Sequence, residues 1–241
     1  MSYWTAQAIL AQVAGELGLP RPATIVGLTD VQSLQLLALL NSAGNELLLY
    51  YPWEQFAKEW TLTSVVGQES YDLPEDYGYL VAQTQWDRTD HWPLLGPKSA
   101  QEWAWLKGST VAQLPRLRFR MQGNQFKLFP IPEAGSSYSL AMEYISNHWA
   151  TTLVSSVVTP TNMVTLDADI VQYNPWLIVK FIKFKFYELK GFPTAGVNAD
   201  FMRVFNSLTG KDTAAPILTL SPTPMTQYIG VGSIPDGSWN Q

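Results

Sequence analysis

Apolar residues recur at helical spacing towards both ends of the chain and at a period of two through its middle. Ile9, Leu10, Val13 and Leu17 share one side of a helix predicted over Thr5 to Leu19, with Thr5 as its cap and Gly18 and Pro20 as its stop. Arg21 to Thr24 reads as a short extended connection. A longer helix starts behind Thr29 or Asp30 and reaches about Tyr50, with Leu36, Leu39, Leu40, Ala43 and Leu47 as its stripe. Pro52 stops it and opens a short third helix through Phe56.

The period changes at Glu59, where Trp60, Leu62 and Ser64 alternate with Thr61 and Thr63 as in a strand. Strands are predicted again over Ser70–Leu73 and over Tyr79–Asp87. Ser99, with Glu102 three residues later, forms a capping box before a short helix from Ala100 to Lys107. Arg116–Met121 and Gln125–Phe129 flank Gln122-Gly123-Asn124 as a hairpin, with Arg116, Arg118 and Arg120 on one face. Tyr138–Ser146 is one more strand, and Val164–Leu166 a short extended segment.

Helical signals return at Asn174-Pro175, a cap followed by proline at the first helical position. Lys180 to Phe186 also alternates like a strand, but the cap and the stop at Gly191 and Pro193 favour a helix to Leu189 or Lys190. A last helix runs from Thr194 to Leu208. Residues 211–241 hold four prolines and three glycines after position 229, with apolar residues between them. They read as an extended arm that orders on another surface through Ile217, Leu218, Tyr228, Ile229, Ile234 and Trp239. The predicted class is α+β. Residues 1–58 and 174–210 form a helical bundle, 59–173 an inserted β-rich domain with a helix near 100–107, and 211–241 the arm.

With 46% hydrophobic and 13% aromatic residues in 241, the chain is no disordered polymer, and it can bury a sizeable core. The absence of cysteine removes disulfides, thiolate metal sites and cysteine catalysis. No apolar run approaches the roughly 20 residues of a membrane helix, and the start Met1–Leu10 lacks the features of a signal peptide. A soluble chain made in a cytoplasm is the expectation. The net charge of −5 argues against a dedicated nucleic-acid binder. Residues 1–102 carry 4 basic and 12 acidic side chains, whereas residues 103–211 carry 11 and 6. Such asymmetry could orient head-to-tail contacts between copies or with a charged partner.

No phosphate loop, dinucleotide fingerprint or nucleophile elbow is present. His91 and His148 lie 57 positions apart without a carboxylate at metal-ligand spacing, so neither a metal nor a cofactor is expected. Glu75-Asp76, Asp87 with Asp90, and Asp167 with Asp169 have the local settings of turns and side chain-to-backbone bonds. Trp60, Trp86 and Trp103 pattern as core, leaving Trp92, Trp105 and Trp149 as candidate surface anchors. Lys180, Lys183 and Lys190, with Arg116, Arg118 and Arg120, are the candidate interface or polyanion surfaces. The competing reading is a carbohydrate-binding or glycan-cleaving tail module built on the tryptophans and acids.

Tyr71-Asp72-Leu73-Pro74-Glu75-Asp76-Tyr77, Trp86-Asp87-Arg88-Thr89, Pro93-Leu94-Leu95-Gly96-Pro97 and Gln101-Glu102-Trp103 together resemble the head-to-tail adaptor proteins of tailed bacteriophages. These are related to the tail tubular and neck proteins of short-tailed phages. Ala43–Leu47 with Tyr51-Pro52-Trp53, Phe126–Pro132 and the ending Ile234–Trp239 fit the same likeness. The resemblance implies a helical bundle with an inserted antiparallel β-sandwich-like domain, and a structural virion protein and no enzyme, assembled in the bacterial host cytoplasm. It implies a homo-oligomeric ring, commonly of twelve copies, docked on a portal protein and carrying tail, nozzle or tail-fibre proteins. Double-stranded DNA would pass through the ring during ejection, without sequence-specific contacts.

Overall fold

The computed structural model describes residues 3–27, 30–108, 116–154 and 157–212. In chain order these form β1 (Trp4–Thr5), α1 (Ala6–Leu17), α2 (Val31–Tyr50), a 3₁₀ turn (Glu54–Phe56), β2 (Ala57–Thr63), β3 (Ser70–Asp72) and β4 (Tyr77–Leu80). There follow β5 (Trp86–Asp87), β6 (Trp92–Pro93), α3 (Ala100–Gly108), β7 (Arg118–Gln122), β8 (Gln125–Phe129) and β9 (Ser139–Ser146). The described chain closes with β10 (Ala150–Val154), β11 (Val157–Thr161), β12 (Ile170–Val171), α4 (Pro175–Lys190) and α5 (Ala195–Asp212). The arm predicted over 211–241 lies outside the described residues from Thr213 onward.

Local chemistry sets the helix ends. The Thr5 hydroxyl accepts the Ala8 N–H (3.2 Å), the Asp30 carboxylate that of Ser33 (3.1 Å) and the Asn174 amide oxygen that of Trp176 (3.0 Å). Gly18 and Gly191 end their helices in the left-handed conformation, with φ near 70°. Ser99 and Glu102 bond reciprocally at 3.0 and 3.2 Å, completing the capping box.

The helices bury their stripes in one core, with Ile9, Leu10 and Val13 of α1 against Leu40 and Leu47 of α2 and Ile178 and Ile182 of α4. Burying each such side chain contributes about 1.5–3 kcal/mol. α5 docks through Phe201, which stacks on Phe181 at 4.7 Å. The alternation of lysine and phenylalanine in α4 is a helical pattern after all. Phe181 and Phe184 turn to Phe201, while Lys180 and Lys183 turn to α1. Ala150, Val164 and Val171 join this core, so the sheet ordered β1-β12-β10-β11 packs with the helices.

The remaining strands form two facing antiparallel sheets. One is ordered β2-β9-β5-β6, with β4 also on β9; the other is β3-β8-β7. Trp60, Leu62, Leu140 and Met142 of the first meet Tyr71, Phe119, Phe126 and Leu128 of the second in a separate core. Gly123 and Asn124 join β7 to β8 with φ of 62° and 58°, the two-residue turn whose twist suits a hairpin. Gly96 lets its chain approach β7 closely, since a Cβ there would fall 2.6 Å from the Phe119 carbonyl oxygen.

Four elements depart from the sequence reading. The strand predicted over Tyr79–Asp87 is two strands, β4 and β5, that both pair with β9 around a folded loop. Gln83 has φ 65°, and the side chains of Thr84 and Gln85 donate to the Val81 carbonyl at 2.9 and 2.5 Å, holding that loop. The helix predicted from Pro52 is a single 3₁₀ turn, because β2 already begins at Ala57. Val164–Leu166 is a loop, pinned where Asn41 both accepts from and donates to the backbone of Val164 (2.8 and 3.3 Å). The strands of that region are β10, β11 and β12, of which β11 is exposed along almost its whole length and so lacks the alternation that marks a half-buried strand.

Candidate interaction surfaces

The motifs that suggested chemistry build the scaffold. Asp76 accepts from Lys58 Nζ (2.6 Å), Ser146 Oγ (2.7 Å) and Tyr144 Oη (2.8 Å), and its carbonyl accepts the Asn147 N–H (2.8 Å). Burial pushes the carboxyl up, but the bonds from Lys58, Ser146 and Tyr144 outweigh it and hold the pKa at about 2. Burial and the Asp76 charge raise the Tyr144 phenol. Asp167 Oδ1 accepts the N–H groups of Ile25 and Val26, both at 2.9 Å, and buried Asp169 those of Thr165 and Leu166 at 2.7 and 2.8 Å. Asp87, also buried, accepts the Thr89 N–H at 2.8 Å. Asp87 and Asp169 thus bond backbone a few residues away, as their local settings imply, whereas the Asp76 side chain ties β2 to β9 and Asp167 holds a segment more than 140 positions earlier.

Asp87 and Asp90 line a cavity with Trp92 and Arg116, but it offers only about 20 Å³, room for a water rather than a sugar ring. Among the described residues no three His, Asp or Glu side chains gather as a metal site.

The three candidate tryptophan anchors separate. Trp105 on α3 is 70% exposed and Trp92 on β6 is 45% exposed, with the Arg116 guanidinium 4.6 Å from the Trp92 ring centre. Trp149 is no surface anchor, being 0% exposed. Its Nε1 donates to Asn45 Oδ1 (3.2 Å), its ring stacks on Tyr173, and Tyr173 Oη donates to the Gly44 carbonyl (2.9 Å). Trp53 Nε1 likewise donates to the Leu47 carbonyl (2.9 Å), so Gly44, Asn45 and Leu47 join α2 to the following segments.

Three of the α4 lysines have acid partners within the molecule. Lys180 and Lys183 share a face, but both ammonium groups converge on Glu16 Oε2, at 2.8 and 3.2 Å. Burial raises the Glu16 carboxyl, and the two lysines outweigh that and lower its pKa. Lys185 pairs with Glu46, and Lys190 lies over the Phe186 ring at 5.4 Å. Lys107 pairs with Glu69 (2.5 Å), so much of the charge asymmetry between the two halves is satisfied inside one molecule.

The arginines differ. Arg118 and Arg120 alternate with fully buried Phe119 and lie on the outer face of β7, with Arg116 at the end of the row; the strand itself begins at Arg118, where Leu95 runs alongside. Ile217, Leu218, Tyr228, Ile229, Ile234 and Trp239 lie outside the described residues.

Residues 4–173 match the SU10 adaptor protein family. The chain belongs to that family. The matched stretch begins at β1 and ends just before α4, so it takes in α1, α2 and both facing sheets of this SU10 adaptor. It also covers the central motifs that suggested a phage adaptor, and membership makes the chain a structural adaptor protein of a phage and a component of the virion. No curated protein matches the adaptor chain in sequence. Among its described residues no helix is long and apolar enough to cross a membrane.

Proposed function

We propose that the chain is the subunit of a head-to-tail adaptor ring that docks on the portal and carries the tail or nozzle, with DNA leaving through its lumen. The observation that carries this reading is the family match over residues 4–173. The charge supports it. A channel for moving DNA should attract it weakly, and −5 per copy is multiplied around a ring. Twelve copies is the number implied by the resemblance. The arm beyond Asp212 is the segment that reaches the portal, and the assembled ring sits at the neck of the virion after assembly in the host cytoplasm.

The test is mass photometry with negative-stain imaging of the full chain, alone and mixed with the portal from the same genome. A ring forming on the portal supports the reading and counts the copies. A chain that stays monomeric beside the portal overturns it.

A further inference from the structure

All fifteen lysines and arginines lie within the described residues, and eight of them have a carboxylate of another described residue within 4.0 Å. Of the seven without one, four lie together on the hairpin of β7 and β8 or at its start: Arg116, Arg118, Arg120 and Lys127. Arg120 stands directly opposite Lys127 in the register, an arrangement in which like charges repel. The Arg118 Nη1 atom is buried without an acceptor among the described residues. Residues 109–115, which precede this strand, contain no Asp or Glu that could serve it.

The other sheet of the sandwich carries the opposite arrangement. Glu59 of β2 stands directly opposite Glu143 of β9, and both are exposed. Arg88 bonds Glu59, and Glu143 has no cation partner among the described residues. The inner sides of the two sheets share one core, so these two charged faces point away from each other. α3 lies over the Arg118 end of the basic one, with buried Trp103 6.1 Å from the Phe129 ring opposite Arg118, and Arg120 and Lys127 stay half-exposed.

We infer that the half-exposed Arg120–Lys127 pair of one copy meets the Glu59–Glu143 face of the next. Each like-charged pair, unfavourable in a single chain, then gains opposite charge across the contact. A contact between two different faces is heterologous, the head-to-tail kind that builds a ring when the rotation between copies closes. The inference rests on the ring reading above and names the surfaces that such a ring would join.

The chain has no cysteine, which makes cross-linking a direct test. Gln122 and Thr61 are exposed residues on the basic and acidic faces respectively, so Gln122→Cys and Thr61→Cys leave every charge in place. Assembled on the portal and treated with a short bis-maleimide, a chain carrying both should give a ladder of linked subunits. Either substitution alone should give none. Adding Arg120→Glu should remove the ladder and lower the ring population at least about tenfold, while Arg120→Lys keeps both. Glu143→Lys should act like Arg120→Glu, so that a fold defect in one variant does not decide the matter.

A ring that forms on the portal without a ladder overturns this contact and leaves the ring reading standing. A wild-type chain that forms no ring overturns both. If Arg120→Glu leaves ring and ladder intact but lowers retention on duplex DNA, the basic face is a polyanion surface and the contact is overturned.

Discussion

The indole of Trp149 occupies the place on α2 where residue 44 would otherwise carry a side chain: a Cβ on Gly44 would fall 2.4 Å from the ring. A glycine within a helix normally costs about 1 kcal/mol relative to alanine. Here it is the condition for the helices and the second half of the chain to share a core.

Gly44→Ala is therefore expected to destabilise the fold by about 1–3 kcal/mol, as overpacking does, rather than raise stability as alanine usually would in a helix. Chemical denaturation decides the sign, and a more stable variant would remove this account of the glycine.

Trp149→Ala and Trp105→Ala should separate widely. The first empties a fully buried site and should cost about 3–5 kcal/mol. The second trims an exposed ring and should change stability by no more than about 0.5 kcal/mol. Thermal unfolding of both variants checks the contrast.

Acid should expose the role of Asp76. Its pKa is depressed from an ordinary 3.8 to about 2, so its contribution is complete above about pH 4 and is lost as the pH falls through 2. The shift corresponds to about 2 kcal/mol. The stability difference between wild type and Asp76→Asn should therefore shrink between pH 4 and pH 2. Denaturant midpoints across that range that stay parallel would count against the Asp76 cluster.

Glu16→Gln removes the carboxylate shared by Lys180 and Lys183 and should cost about 1–2 kcal/mol, between the values for exposed and buried ion pairs. Arg203→Ala breaks only the exposed pair with Asp200 and should be close to neutral. Urea titrations of the two variants, run side by side, test the ranking.

Truncation after Asp212 keeps the carboxylate that accepts the Glu54 N–H (3.1 Å). The shortened chain is expected to unfold at the wild-type temperature and to lose docking on the portal. Normal docking would show that residues 213–241 do not make that contact.

Legibility followed the distance over which each signal acts. Thr5, Asp30, Ser99 with Glu102, and Asn174 with Pro175 satisfy backbone groups within three residues, and all four helix starts could be read from neighbours in sequence. The alternation at Trp60 and Leu62 marked β2, because one face of that strand is buried. Trp149 read as a surface anchor, since the glycine that makes room for it lies 105 positions earlier. Lys180 and Lys183 looked like an interface or polyanion surface for the same reason, their acid being on α1. The row of Arg118 and Arg120 was legible from alternation alone, but the like-charged Lys127 across the hairpin became meaningful only with the register.

The partners of α1 have a consequence for how this chain reaches its native state. Trp4 pairs with Val171, the Ala6 N–H donates to the Asp169 carbonyl (2.8 Å), and Glu16 waits for two lysines of α4. During synthesis the segment from Ala57 to Ser146 can close its two sheets while α1 still exposes Ile9, Leu10 and Val13 to water. An element made early is thus housed late, and a ribosome stalled before Pro175 would hold a finished sandwich beside an unprotected greasy helix.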